Sequence, residues 1–305
     1  MPIAKIGRIE IAYEAFGAPA DPALLLIMGL GVQMIGWDEN LCRELAGRGF
    51  YVVRYDHRDV GWSSKMGKMG KMGDGDASAE GIKMTAGGEK ATPPYSLEDL
   101  AADAAGLLDS LGLKNVQVCG GSMGSAIAQV LGMKRPDLAA GLTLIYGSSG
   151  NPDLPPPRPQ ALEYLMAPQP RERTANIEHG LNLYRAVSGP GFLFEEAWHR
   201  EFLARSHDRC FYPQGVVRHL AAVLAQEDRR PGLRSLAVPT LVIHGTADPL
   251  VPVECGRDVA QSIPGAELME IPGMGHDLPH GRGPWPEILE AMVARSAKAN
   301  GGSSR

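Results

Sequence analysis

A chain of 305 residues with 44% hydrophobic and 21% charged residues can bury a large core, which argues against a disordered protein. A formal net charge of -5 gives no long-range attraction to nucleic acid or anionic lipid, so neither is expected as a primary partner. No apolar run reaches the roughly 18–20 residues that span a bilayer, and the N-terminus lacks the features of a signal peptide. The 4 cysteines are scattered without a C-x-x-C pair, so we expect a cytoplasmic protein with reduced thiols and without a metal site.

The predicted elements alternate between strand and helix along most of the chain. The first residues alternate apolar and polar side chains around Gly7, which is typical of a β-hairpin. Apolar residues at helical spacing predict one helix that contains Trp37, Leu41 and Leu45, and another that begins near Ser96. Further strands are predicted at residues 24–28, 50–55, 116–119, 142–146, 240–244 and 267–271. This order predicts an α/β fold, with a mostly parallel twisted sheet and helices on both faces.

Two stretches interrupt the alternation. Residues 64–94 are rich in Gly, Lys and Met, and we interpret them as a flexible loop within the core, with a Met-lined flap over a pocket as the alternative. Residues 150–232 begin with a proline run and continue with apolar residues at helical spacing. They predict a helical cap, or lid, inserted between two strands of a core domain formed by residues 1–149 and 233–305.

A G-x-S-x-G motif lies between a predicted strand and a predicted helix. Its serine is Ser122, and Gly120 and Gly124 flank it. A strand that turns directly into a helix needs a strained bend, which glycines permit because they have no Cβ to clash. The hydroxyl of Ser122 would then stand at the carboxyl edge of the sheet, over the positive end of the helix. Taken alone, the motif could also be a glycine-rich turn with an incidental serine.

Two later loops supply partners for this serine. Asp248 follows one predicted strand and His276 follows the next, so the order along the chain is Ser, Asp, His. Loops that follow parallel strands meet at one edge of the sheet, where the three side chains can converge. We therefore predict Ser122 as the nucleophile, His276 as the general base and Asp248 as the residue that orients the base. His280 is close enough along the chain to be a rival base.

An acyl-transfer reaction also needs donors for the oxyanion of its tetrahedral intermediate. We predict the backbone N–H of Met123, directly after the nucleophile, as one donor. The second is expected from the oxyanion loop, defined here as residues 28–31, and the N–H of Leu30 is favoured.

The chain resembles the α/β-hydrolase superfamily over nearly its whole length. Residues 28–31, 55–61 and 120–124 are similar to those of bacterial carboxylesterases related to aclacinomycin methylesterase. The resemblance implies hydrolysis of carboxylic esters through an acyl-enzyme, without a cofactor. A serine nucleophile argues, by the same resemblance, against haloalkane dehalogenase and epoxide hydrolase chemistry. The chain departs from many family members at Met28, where they carry a histidine, so the hydrogen bonding of the oxyanion loop must differ.

The substrate is expected to be a small to medium uncharged ester, because the cap is largely apolar, and the protein to be a monomer or small homo-oligomer. Other reactions on the same residues remain open, namely lactone opening, cofactor-free perhydrolysis and carbon–carbon bond hydrolysis. A ligand-binding receptor of the same fold is a further alternative. A dinucleotide-binding enzyme would use Gly29, Gly31 and Asp56, but Met34 occupies its third glycine position and the serine motif would remain unexplained.

The other histidines carry weaker signals. His57 is expected to order the loop at residues 56–61, and His244 to be structural. The histidines of the predicted cap show no spacing typical of metal ligands: His179, His199, His207 and His219.

Overall fold

The computed structural model describes the backbone of residues 1–69, 93–278 and 283–301, and the side chains of all of these except 68–69 and 295–301. In this part of the chain, one 8-stranded sheet has the order β1-β2-β4-β3-β5-β6-β7-β8. Its strands are β1 Ile3–Ile6, β2 Ile9–Phe16, β3 Ala23–Ile27, β4 Tyr51–Tyr55, β5 Val116–Gly121, β6 Ala139–Ile145, β7 Thr240–Gly245 and β8 Glu267–Ile271. β2 pairs antiparallel with β1 and β4, and all other neighbours are parallel. The predicted α/β fold with a mostly parallel sheet is confirmed.

Helices connect most of the strands. The first three, which flank the sheet, are α1 Glu39–Gly47, α2 Leu97–Ser110 and α3 Met123–Lys134. The connection from β6 to β7 carries α4 Pro159–Met166, α5 Arg173–Val187, α6 Glu196–Arg209, α7 Pro213–Leu224 and α8 Arg230–Leu233. The chain then forms α9 Val253–Ser262 and α10 Trp285–Gly301. We call the segment from α4 to α8 the helical insertion.

The core lies on both faces of the sheet. Successive side chains of a strand point to opposite faces, so the continuous apolar run of β3 is buried on both faces of the sheet. Leu25 and Ile27 pack into the cluster that includes residues of α2 and α3. Leu24 and Leu26 pack into the second cluster, with residues of α1 and α10. The sheet is therefore covered on both sides, and its carboxyl edge is where loops are free to form a site.

Local sequence explains where two helices begin. α2 starts as predicted, because Ser96 and Asp99 form a reciprocal capping box at its N-terminus. The prediction that α1 includes Trp37 was wrong, since the side chain of Asp38 accepts the N–H of Asn40 and caps a helix that begins one residue later. Trp37 instead lies before the helix, buried, with its ring 6.4 Å from that of Trp285.

The two stretches that interrupted the alternation differ in how far they can be described. Of the loop predicted at residues 64–94, residues 70–92 lie outside the described residues, and Met66–Met69 form a 3-10 turn. Residues 150–232, predicted to be helical, contain most of the helical insertion. None of the helices within the described ranges is both long enough and apolar enough to cross a membrane.

Candidate active site

Ser122 occupies a strained turn between β5 and α3. Its backbone has φ 56° and ψ -121°. This positive φ lies in the left-handed half of the Ramachandran map, which residues with a Cβ rarely adopt. A Cβ on Gly120 would lie 2.1 Å from the carbonyl oxygen of Gly124, and one on Gly124 would lie 2.2 Å from that of Ile27. Both flanking positions therefore require glycine, and the tight turn holds the serine at the carboxyl edge of the sheet.

The three side chains predicted from the sequence form one hydrogen-bonded series. Nδ1 of His276 lies 2.7 Å from Oδ2 of Asp248, and Nε2 lies 2.9 Å from Oγ of Ser122. A carboxylate can only accept, so Nδ1 carries the proton of the neutral imidazole. Nε2 then has a free lone pair directed at the serine hydroxyl, which is the arrangement that a general base needs.

Asp248 is held as an anion. Its Oδ1 accepts the backbone N–H groups of Leu250 at 2.9 Å and Val251 at 2.8 Å, which leaves Oδ2 for His276. Burial alone would raise the pKa of this carboxyl. Electrostatic attraction to His276 when that ring is protonated, the nearby His244 and the hydrogen bonds from His276 and the Val251 N–H outweigh burial and lower the pKa to about 2. The carboxylate is therefore charged throughout the physiological range.

The loop that carries His276 is anchored to the helical insertion. The backbone N–H of His276 donates to the carbonyl oxygen of Val187, the last residue of α5, at 2.8 Å. The N–H of Gly191 donates to the carbonyl oxygen of Gly273 at 2.9 Å. A Cβ on Gly275 would lie 2.3 Å from the Val187 oxygen, so the two segments are in backbone contact. The position of the imidazole thus depends on the insertion as well as on β8.

The two predicted oxyanion donors lie beside the nucleophile. Met123 is the first residue of α3, where a backbone N–H has no partner within the helix. Leu30 follows Gly29, whose Cβ position lies only 3.3 Å from the Cβ of Ser122. Neither the N–H of Met123 nor that of Leu30 donates to another group within the described ranges. Both amides are therefore available to a substrate oxygen, and their role as an oxyanion hole stays a prediction.

Two buried histidines support the oxyanion loop. Nε2 of His57 lies 2.9 Å from the carbonyl oxygen of Met28, and Nδ1 of His219 accepts the N–H of Gly31 at 3.2 Å. His57 was expected to order its own loop, whereas the hydrogen bond of its side chain goes to the neighbouring oxyanion loop. In the sequence, only the place of His219 among apolar residues of α7 could have signalled its burial. Its partner Gly31 lies 188 positions away, beyond the reach of any local pattern.

Among the described residues, the other histidines do not join this hydrogen-bonded series, although Nε2 of His244 lies 3.6 Å from Oδ2 of Asp248. Nε2 of His244 lies 2.8 Å from the carbonyl oxygen of Val251, which suits the structural role expected of it. His280, the rival base, lies outside the described residues. Among the side chains that can be examined, no three His, Cys, Asp or Glu residues are grouped as metal ligands would be.

Two adjoining cavities lie between the catalytic edge and the helical insertion. The smaller, about 140 Å³, contains Ser122 and His276. It is lined by aromatic residues that were not predicted as site residues, namely Trp37, Tyr146, Tyr184, Trp198 and Trp285. The larger, about 360 Å³, lies under the insertion and adds polar groups such as Asn176, His179 and Gln214. Leu30, Val32 and Leu183 are among the residues that line both. A substrate held at Ser122 can therefore extend past the oxyanion loop into the larger cavity.

Comparison with known proteins gives matches over nearly the whole chain. A family model described as alpha/beta hydrolase fold matches residues 22–281. Rhodomycin D methylesterase of Streptomyces peucetius is 31% identical over 302 residues, covering 92% of this chain and 93% of that protein. A solved thermophilic esterase from Thermogutta terrifontis is 25% identical with a TM-score of 0.66, covering 97% of this chain and 96% of that one. An enol-lactonase from Burkholderia xenovorans has a TM-score of 0.67 at 21% identity, covering 98% and 99%, and shows the shared fold alone.

Proposed function

The chain belongs to the alpha/beta hydrolase fold family, and we propose that within it the protein is a serine carboxylesterase. The observation that carries this proposal is the hydrogen-bonded series of Asp248, His276 and Ser122 beside an apolar cavity, which Ser122 and His276 help to line. The similarity to a methylesterase of Streptomyces peucetius supports the same reaction class.

The geometry supports a two-step acyl transfer. Oγ of Ser122 attacks the ester carbonyl carbon while Nε2 of His276 takes the hydroxyl proton. The carbonyl oxygen becomes an oxyanion that accepts the N–H groups of Leu30 and Met123. The imidazolium, stabilised by the Asp248 carboxylate, then returns its proton to the leaving alkoxide and the alcohol departs. Water, deprotonated by the same imidazole, attacks the acyl-enzyme, and collapse of the second tetrahedral intermediate releases the acid and restores the serine.

The two cavities favour a substrate with a small alcohol part. The leaving oxygen must reach His276, which lines only the smaller cavity. The acyl part can extend beyond Leu30 into the larger cavity. Polar side chains there can form hydrogen bonds with oxygen atoms of the acyl part. We therefore propose small to medium uncharged esters, with methyl and ethyl esters preferred to those of long alcohols.

Substitution of Ser122 tests the nucleophile. For Ser122→Ala we expect kcat on p-nitrophenyl acetate to fall by roughly 10⁴-fold or more, since the covalent route is lost. Ser125→Ala is the matched control, because Ser125 is a buried serine one turn further along α3 whose Oγ contacts Gln129 and not His276. It should retain activity within about tenfold. If Ser122→Ala remained active, the nucleophile would be wrong, and a wild-type protein without any ester turnover would contradict the esterase itself.

A series of alkyl esters tests the division of the cavities. Methyl, ethyl, butyl and hexyl esters of one uncharged acid can be followed by proton release, together with p-nitrophenyl esters from acetate to palmitate. We expect kcat/KM to fall along the alcohol series, and long-chain acyl esters to be poor substrates. A preference for hexyl esters, or for emulsions of long-chain triglycerides, would contradict the proposed substrate class.

We also propose a location, a domain division and an oligomeric state for the protein. The absence of pairing among the four cysteines, Cys42, Cys119, Cys210 and Cys255, is compatible with the cytoplasmic location that we propose. The division into a core of residues 1–149 and 233–305 and a cap of residues 150–232 is supported by the helices between β6 and β7. Light scattering of the purified protein would test the proposed monomer or small homo-oligomer.

A further inference from the structure

We propose that His219, a residue of the helical insertion, is a positioning residue for the oxyanion loop, which it fixes by accepting the N–H of Gly31. This inference rests on the proposed esterase function. It assigns to α7 a part in the reaction, because a residue of the insertion then determines where the N–H of Leu30 points.

Both ring nitrogens of His219 have partners that fix one tautomer. Nδ1 accepts the N–H of Gly31 at 3.2 Å, so it carries no proton. Nε2 lies 2.9 Å from the carbonyl oxygen of Arg58 and therefore donates its proton there. The side chain is fully buried, with 0% of its surface exposed, and it cannot exchange these partners for water.

The neutral state that this role needs is favoured by the surroundings. Burial, with a smaller contribution from the nearby His57, lowers the pKa of His219 to about 3, against opposing effects of the Arg58 carbonyl and Asp59. A protonated ring would turn an N–H of Nδ1 towards the N–H of Gly31, and the contact would become repulsive. The acceptor is thus maintained at physiological pH.

The contacts of the loop restrict the peptide unit that carries the Leu30 N–H. This unit joins Gly29 to Leu30, and its carbonyl oxygen accepts the N–H of Val32 at 3.3 Å. The peptide unit before it is held at the Met28 oxygen by His57, at 2.9 Å. The unit after it is held at the Gly31 N–H by His219. With both neighbours fixed, the middle unit has little freedom to rotate its N–H away from the oxyanion position.

α7 itself is fixed against the core, so His219 is a rigid support. Arg218 makes a two-pronged ion pair with the buried Asp59, through Nε at 2.8 Å and a terminal nitrogen at 3.0 Å. A Cβ on Gly215 would lie 2.1 Å from the carbonyl oxygen of Asp59. On the other side, a Cβ on Gly31 would lie 2.9 Å from a methyl group of Val216. α7 therefore contacts the oxyanion loop through Val216 and through the polar bond of His219 to the loop backbone.

Two isosteric substitutions separate the two bonds of the ring. The amide oxygen of asparagine can take the place of Nδ1, so His219→Asn retains an acceptor for Gly31 and loses the donor to Arg58. The amide nitrogen of glutamine can take the place of Nε2, so His219→Gln retains the donor and loses the acceptor. We expect His219→Gln to lower kcat ten- to a hundredfold with KM changed less than about threefold, since a misdirected oxyanion donor costs up to about 10²–10³. His219→Asn should stay within about fivefold of wild type.

The affinity for a transition-state analogue separates a positioning role of His219 from a purely structural one. A trifluoromethyl ketone forms a tetrahedral oxyanion with the serine, so its affinity for His219→Gln should fall by the same factor as kcat/KM. Affinity for an unreactive amide of the same acid should stay unchanged. The proposal is overturned if both variants lose equal activity in step with their Tm, or if analogue and amide affinities fall together.

The wild-type protein provides a test that does not depend on folding of the variants. Nitrogen NMR of the imidazole groups should show His219 as the Nε2–H tautomer between pH 6 and pH 8, and an Nδ1–H tautomer would overturn the proposal. If the wild type neither hydrolyses esters nor binds the ketone, it is the proposed function that fails. If it does both and the two variants do not differ, only the role of His219 fails.

Discussion

Asp248 determines which nitrogen of His276 can accept a proton. Its Oδ1 is taken by the N–H groups of Leu250 and Val251, so the remaining Oδ2 faces Nδ1 of the imidazole. A group at this position that donates instead of accepting would place the proton on Nε2. The identity of a single atom thus decides whether Ser122 has a base.

Asp248→Asn tests this atom without changing the shape of the site. The carbonyl oxygen of asparagine would keep the two backbone N–H groups, and its NH₂ would face Nδ1 and force the unproductive tautomer. We expect kcat on p-nitrophenyl acetate to fall by roughly 10³–10⁴-fold, with little change in KM. A fall of less than tenfold in a variant with wild-type Tm would mean that Asp248 does not orient the base.

Residues within local motifs could be predicted from the sequence, and residues supported by distant contacts could not. Ser122 is identified by glycines two positions away, and the order of Asp248 and His276 follows from strands that precede them. The structure brings these three together as the sequence predicted. His219 and Tyr146 carry no such local signal. One is defined by its bond to the oxyanion loop, and the other by a ring that lies 4.4 Å from the imidazole of His276.

At the scale of elements, the position of Ser122, the proposed nucleophile, depends on how closely α3 approaches β3. The Cβ position of Gly124 lies 2.2 Å from the carbonyl oxygen of Ile27 and 2.7 Å from that of Met28. These oxygens belong to backbone that is fixed in the sheet and in the oxyanion loop, so neither can yield to an added methyl group. A change at Gly124 would therefore move the helix.

Gly124→Ala should destabilise the protein and misplace the nucleophile. We expect the free energy of unfolding in urea to fall by roughly 2 kcal/mol or more, because overpacking against backbone costs at least as much as in a side-chain core. Activity at saturating substrate should fall as well, since the serine and the Met123 N–H move with α3. The free energy can be taken from unfolding curves with a common m-value.

Gly47→Ala is the matched control for that substitution. Gly47 ends α1, and a Cβ added there meets nothing within 4 Å. Alanine should leave activity unchanged and raise the free energy of unfolding by up to about 1 kcal/mol, because it favours the helix. Equal effects of the two substitutions would contradict the argument from close approach.

Element types followed from the sequence more closely than element packing did. Continuous apolar runs predicted the parallel strands, and the capping residues of α2 predicted where that helix begins. The insertion was predicted as helical from its periodicity. Which of its faces meet the core was not predictable, because α7 contacts loops that are far away along the chain through polar groups as well as apolar ones.

For the whole molecule, the helical insertion is joined to both parts of the proposed catalytic site. The end of α5 holds the loop of His276, through the bond from its N–H to Val187. α7 holds the oxyanion loop through His219. A rigid-body opening of the entire insertion would break both contacts. Substrate entry is therefore expected to involve α4, the first turn of α5 and the middle of α6, which line the larger cavity at Tyr164, Asn176 and Phe202.

The pair of buried histidines that supports the oxyanion loop makes the stability of the whole protein sensitive to pH. Burial is the main reason that the pKa of His57 falls from 6.5 to about 4 and that of His219 from 6.5 to about 3. The unfolded chain takes up these protons first, so the stability that the neutral rings provide is complete above about pH 6.5. It is lost as the pH falls towards 4, by up to about 1.4 kcal/mol per pH unit for each ring. The pKa of Asp248 is lowered from 3.8 to about 2, so the stability that its carboxylate provides is complete above about pH 4 and is lost only at lower pH.

Urea unfolding at half-unit steps from pH 7 to pH 4.5 should therefore show a free energy of unfolding that decreases steadily with acidification. In His219→Asn one of the two rings can no longer take up a proton, and we expect a visibly shallower slope over the same range at an unchanged m-value. The variant should be less stable than wild type at pH 7 and approach it near pH 4.5, because only the wild type loses the contribution of this ring. Parallel pH profiles for the two proteins would show that His219 is not held neutral by the fold, and would remove the electrostatic basis for its acceptor role in the oxyanion loop.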